Sequence, residues 1–323
     1  MKRTRLTGLL AAIEDVYGTE VVPDPATDGI QLEEHIWNSI DVDYLERNTR
    51  DTASGNRMGR NVGGQPSGRF AKLTAVVAMR GSGVAYADAA RPEIDVLLRA
   101  AGLQGVVSPA ASTESVTYTP VDEDQESATV YAYSAGTLYK LVGCRARITS
   151  ISGPAAQFGR ATFEVWGQLL EDPTDVPLPQ ITYPAKGVKP PVLQSAALTL
   201  DTFGPEFRSF SFEQNLELTP RPRGNAPNGH AGYAITDYDP QLKAQIDSPD
   251  KAVFDPWTLE RAATEFTWSF AVGATQYNRW KIEGGNGQII RVPPEEDSGF
   301  AMLGLNIRCL HGAVNPAFSL VFD

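Results

Sequence analysis

Apolar and polar positions alternate most regularly between Ala128 and Leu169. After Cys144, the residues Cys144, Ala146 and Ile148 fall on one face and Arg145, Arg147 and Thr149 on the other. After Gly159, Ala161, Phe163 and Val165 alternate with Thr162, Glu164 and Trp166. A period of two belongs to half-buried strands, and Gly, Ser and Pro clusters between the runs mark hairpins. The stretch predicts an antiparallel meander with one apolar face. A hairpin centred near Ala155–Ala156 sets Arg147 opposite Glu164, a cross-strand pair of about 0.2–1 kcal/mol.

The same reading covers the rest of the chain. Residues 1–29 form an arm, in which Leu9, Leu10, Ile13 and Val16 have helical spacing and Tyr17-Gly18 is the stop. Strands are predicted over 34–45 and 70–79. Arg91-Pro92-Glu93 opens a helix with the stripe Ile94, Leu97, Leu98 and Ala101, and Gly102 ends it. Six prolines within 171–192 predict a stiff linker and a domain boundary. Beyond it, Phe210, Phe212, Leu216 and Leu218 alternate with polar residues as one strand. Another strand follows near 241–247, and Asp255-Pro256-Trp257 opens a second helix with Asp255 as its N-cap. Strands over 265–272, 279–283, 288–292 and 299–310 close the chain, with Gly284 to Gly287 as a turn.

Two stretches look like long polar loops. Residues 46–69 carry Arg47, Arg50, Arg57, Arg60 and Arg69; residues 219–233 carry Arg221 and Arg223. Structureless segments of this length are functional or disordered. Each half therefore reads strand, long polar loop, strand, Pro-opened helix, hairpins. Pro92 and Pro256 stand about half the chain apart. An internal duplication follows: arm 1–29, domain 30–172, linker 173–192, second domain 193–323. The expected fold class is mainly β, with one flanking helix per unit.

Composition narrows the functions. The chain has 323 residues, 42% of them hydrophobic and 21% charged, enough for two ordinary cores. A net charge of −11 repels nucleic acid. Cys144 and Cys309 form neither a metal spacing nor a disulfide framework. No apolar run reaches the roughly 20 residues of a membrane helix. Glu14 and Asp15 interrupt the apolar start, so no secretory signal is expected and the protein is expected to stay in the compartment of its synthesis. His35, His230 and His311 lack any paired spacing, and His230 in its Gly-Asn loop reads as solvated. There is no nucleophile elbow and no phosphate loop. The five tryptophans read as core or interface packing. Asp41 and Asp43 share a strand face and are the one carboxylate pair a hidden hydrolase site could use. No cofactor, metal or enzymatic activity is expected. A β-sandwich binding or decoration module, directed at a receptor or glycan, is the alternative to a structural protein.

Several segments in order resemble the tail tube proteins of long-tailed, non-contractile bacteriophages. They are Ala12-Ile13-Glu14-Asp15-Val16-Tyr17-Gly18-Thr19, Leu97 to Gly102, Ser115 to Pro120, Tyr131 to Ala146, and Phe163 to Asp175 with Pro173-Thr174-Asp175. The second half matches more loosely, through Phe254-Asp255-Pro256-Trp257. The resemblance implies two tandem β-sandwich or split-barrel units that close into rings, stacked as a conduit for DNA. Its implied partners are further copies of the chain, with three per ring favoured over six. It also implies the tape measure, tail terminator and distal tail proteins and transient passage of DNA, with no membrane anchoring. The implied location is the virion tail, after assembly in the host bacterial cytoplasm. Arg47, Arg50, Arg57, Arg60, Arg69, Arg221 and Arg223 are the expected inter-ring cations, and Asp122, Glu123, Asp124 and Glu126 their acidic counterparts.

Overall fold

The computed structural model describes residues 6–47, 62–109, 114–226, 229–313 and 315–323. The first half contains β1 (Thr7–Ile13), β2 (Gly29–Ile30), β3 (Trp37–Arg47), β4 (Val62–Ala78), α1 (Asp95–Ala100), β5 (Leu103–Ser108), β6 (Ser115–Pro120), β7 (Ala128–Ser134), β8 (Thr137–Pro154), β9 (Arg160–Leu169) and β10 (Thr174–Asp175). The second contains β11 (Ala197–Leu200), β12 (Phe207–Glu213), β13 (Leu216–Pro222), β14 (His230–Tyr238), β15 (Gln241–Asp247), α2 (Pro256–Ala262), β16 (Glu265–Val272), β17 (Trp280–Arg291), β18 (Pro294–Asp297), β19 (Phe300–Leu310) and β20 (Ser319–Phe322). The mainly-β expectation holds, and every described strand pairing is antiparallel.

The meander forms as its alternation predicts. Cys144, Ala146, Ile148, Ala161, Phe163 and Val165 are buried, and Arg147 stands opposite Glu164. Arg147 Nε donates to Glu164 Oε2 at 2.7 Å, and Lys72 Nζ adds a contact of 2.7 Å to Oε1. Burial alone would push the Glu164 carboxyl up; the Lys72 and Arg147 hydrogen bonds outweigh it and hold the group below its ordinary value.

The two halves share one strand order. In the first it runs β1–β7–β8–β9–β4–β3. In the second it runs β11–β16–β17–β19–β15–β12. Details repeat within that order. Hairpin β3–β4 slips register after Asp43↔Gly68, resuming at Tyr44↔Pro66. Hairpin β13–β14 slips after Glu217↔Asp237, resuming at Leu218↔Ile235. Both helices lead into a left-handed residue, Gly102 at φ 75° and Ala263 at φ 51°.

Backbone ladders join the halves. Strand β12 pairs with the end of β8, Phe210 facing Gly153. The last strand, β20, lies between β17 of its own half and β6 of the other. One apolar core runs through both, with Leu97 and Phe163 from the first half and Phe212, Trp268 and Phe318 from the second.

Five expectations are corrected. The arm is a strand, β1, and not a helix near Leu9–Val16; Leu9, Leu10 and Ala11 are buried between β2 and β7, so no polar face breaks the apolar run. The first helix starts at Asp95, later than Arg91-Pro92-Glu93, because the Glu93 carboxylate binds Arg80 and the Gln31 amide instead of the helix end. The run Phe210 to Leu218 is two strands in different sheets, broken at Asn215 with φ 47°. Gly284 to Gly287 is no turn but the middle of β17. Gly284 and Gly287 make room for the Trp268 indole: a Cβ on Gly287 would stand 2.6 Å from its Cδ1. The polar segment 219–233 is the hairpin β13–β14, and 62–69 is the start of β4 rather than loop.

The 171–192 segment is strapped to the first half and turns at 184–187. Leu178 and Ile181 pack against Leu10, Tyr131 and Tyr133. Phe322 is fully buried in β20, edge-on to Tyr118 at 6.0 Å. Phe322→Ala should cost about 3–5 kcal/mol in a urea titration; a loss under about 1 kcal/mol would show that β20 does not hold the halves together.

Candidate assembly surfaces

The second half sits on the first through a few polar anchors whose partners lie far apart in sequence. Gln214 is buried at the break between β12 and β13. Its Oε1 accepts from Ile148 N at 3.1 Å, and its Nε2 donates to Ala101 O at 2.9 Å. Strand β8 and the end of α1 are thus bound by one side chain. A buried amide satisfied at both ends fixes position as well as energy.

A second anchor comes from the N-terminal arm. Glu14 is buried and accepts four hydrogen bonds: from Gly18 N at 2.8 Å, Ser127 Oγ at 2.6 Å, Thr129 Oγ1 at 2.9 Å and Gly143 N at 2.8 Å. That cradle fixes the turn carrying Tyr17. The Tyr17 hydroxyl donates to Gly143 O at 3.0 Å and accepts from Tyr233 N, on β14, at 2.9 Å. Burial pushes the phenol above its ordinary value; the Tyr233 backbone and the Arg145 guanidinium, 5.4 Å from the ring, pull the other way. Gly232 has to be glycine, since a Cβ there would overlap the Tyr17 hydroxyl and its φ is 87°. Around this anchor, the Tyr233 ring lies 5.4 Å from Phe70 and 5.6 Å from Trp166. His230 is not simply solvated: its ring stands edge-on to Phe70 at 4.7 Å.

The charged residues expected between rings are dispersed. Arg50, Arg57 and Arg60 lie outside the described residues. Arg47 is the last residue of β3, opposite Val62. Arg69 bonds to Asp172 of its own chain. Arg221 and Arg223 are exposed on the second hairpin and make no salt bridge among the described residues. Asp122, Glu123 and Asp124 are exposed in a turn where Asp124 has φ 54°. Glu126 instead grips Arg99 at the end of α1, and that hydrogen bond raises the guanidinium's pKa. The acidic turn borders the base of hairpin β13–β14, where Asp122 shares a hollow of about 320 Å³ with Gln214, Ile235 and Tyr238.

Several strands have one neighbour only among the described residues: β3, β5, β11 and β18. A row of unpaired N–H and C=O groups is a template for another chain. Among the described residues, no group of three or more His, Cys, Asp or Glu side chains could hold a metal ion. No helix among them is long and apolar enough to cross a membrane.

Open strand edges on a large antiparallel sheet define a mainly-β protein. The family model for phage tail tube proteins matches residues 4–299, and the chain belongs to that family. It is a structural protein of the phage tail. No curated protein matches the chain.

The Tyr17 anchor was not legible in the sequence. Tyr17→Phe leaves the Tyr233 N–H and Gly143 C=O without that partner, and should cost about 1–3 kcal/mol. Faster hydrogen exchange at the Tyr233 amide would accompany it; unchanged exchange there would contradict the anchor.

Proposed function

We propose that the chain is the repeating subunit of a non-contractile tail tube, built of stacked rings through which DNA leaves the virion. The observation that carries the reading is the repeated strand order, within a chain of the tail tube family. Two equivalent units, 30–172 and 193–323, follow the arm 1–29 and are joined by the linker 173–192. Three chains then present six units per ring. Six chains per ring is the outcome if the second unit lies outside the wall. Open strand edges supply the ring contacts. The net charge of −11 suits a conduit, because a wall that repels phosphates does not retain DNA.

The further partners of such a tube are the tape measure, terminator and distal tail proteins. Assembly takes place in the host cytoplasm without a membrane anchor or catalytic step. Arg221 and Arg223 reach acidic surface on the next ring.

Negative-stain microscopy of purified protein tests the reading. Rings or tubes are expected; a monodisperse monomer at high concentration, or saturable glycan binding without stacking, would overturn it. Arg221→Glu with Arg223→Glu should shorten tubes while rings persist. Unchanged tube length would remove these residues from the inter-ring contact.

A further inference from the structure

Hairpin β13–β14 has a seat on the first half of its own chain. Tyr233 meets Tyr17 and Trp166, and Ile235 Cδ1 would stand 2.9 Å from a Cβ on Gly102, at the end of α1. Under this cover the last residues of α1 are closed off: Ala100 and Ala101 are 1% and 0% exposed.

Hairpin β3–β4 is the same element of the other half. Its register slips at the same step, so Val42, Tyr44 and Pro66 hold the rungs that Leu216, Leu218 and Ile235 hold in the second hairpin. The apolar positions therefore repeat. Its seat does not: Leu45 and Gln65, the pair just past the register slip, are exposed. The place where such a seat would be is uncovered. Ala262 and Ala263 at the end of α2 are exposed, although Ala263 takes the left-handed conformation that Gly102 takes after α1. Trp257 on the same helix is 38% exposed, and Val253 just before it is 68% exposed.

We propose that hairpin β3–β4 of one copy seats on the second half of the next, against the C-terminal end of α2, repeating between chains the contact that hairpin β13–β14 makes within one. The proposal rests on the ring reading above and names the surface that closes the ring. Its occupant is a second copy of this chain, because the covering hairpin and the open helix end are the two separated faces of one repeated interface. The contact is heterologous, hairpin to helix end, and so continues around a ring until it closes.

Disulfide trapping tests it. Chains carrying Pro66→Cys and chains carrying Ala263→Cys are made separately, mixed, assembled and oxidised. The native Cys144 and Cys309 are buried and stay in place. The expected result is a reducible heterodimer, about tenfold above either variant alone, which no contact inside one chain can produce. Tubes that form without it, with Ala262→Cys as well as Ala263→Cys, would overturn the seat. Should the cysteine variants not assemble, Ala262→Glu decides. The position is exposed, so the melting temperature of the monomer should be unchanged while tube yield falls at least tenfold. Normal tube yield from that variant would also overturn the seat. Absence of rings from the wild-type chain would instead remove the reading on which the seat rests.

Discussion

A strand edge must give its backbone hydrogen bonds to something, and this chain is arranged around that demand. Within the molecule, the edge of β8 is completed by β12, and β20 fills the gap between β6 and β17. These ladders tie together two halves that have the same strand order. What stays open, on β3, β5, β11 and β18, is the surface left for neighbours.

The halves are alike without being identical. Hairpin β5–β6 intervenes between α1 and β7, whereas α2 leads almost directly into β16. The β6–β20 ladder is therefore a clamp that only the junction inside the chain possesses. In the proposed ring, junctions within and between chains would alternate in strength, with the weaker ones free to form last.

Much of this was legible in the residues where one physical rule acted alone. Glu265–Val272 forms the strand its alternation predicts, Asp255 caps α2 through Thr258 N at 3.1 Å, and Arg147 meets Glu164. The errors came where two rules overlapped. Leu9 and Leu10 satisfy helical spacing and a doubly covered strand equally well, and only the pairing partners decide. Four residues with three glycines at 284–287 look like a turn, until Trp268 from the adjacent strand is seen to need the space. Phe210 to Leu218 alternates almost throughout, and Gln214 keeps the inward phase of Phe212 and Leu216; its partners Ile148 and Ala101, and the break at Asn215, are what the pattern does not announce. Of the charged residues expected between rings, Arg69 and Glu126 bond inside their own chain, while Arg221 and Arg223 remain exposed. Charge runs report solvation more readily than partners.

If one chain supplies two equivalent units of a ring, the number of chains per ring is fixed at half the number of units. Counting chains in an assembled ring, by native mass spectrometry or from the rotational symmetry of a tube in electron cryomicroscopy, tests it most directly. The account predicts three chains, with six similar but distinguishable units around the wall. Six chains per ring, with only the first half in the wall, would contradict it.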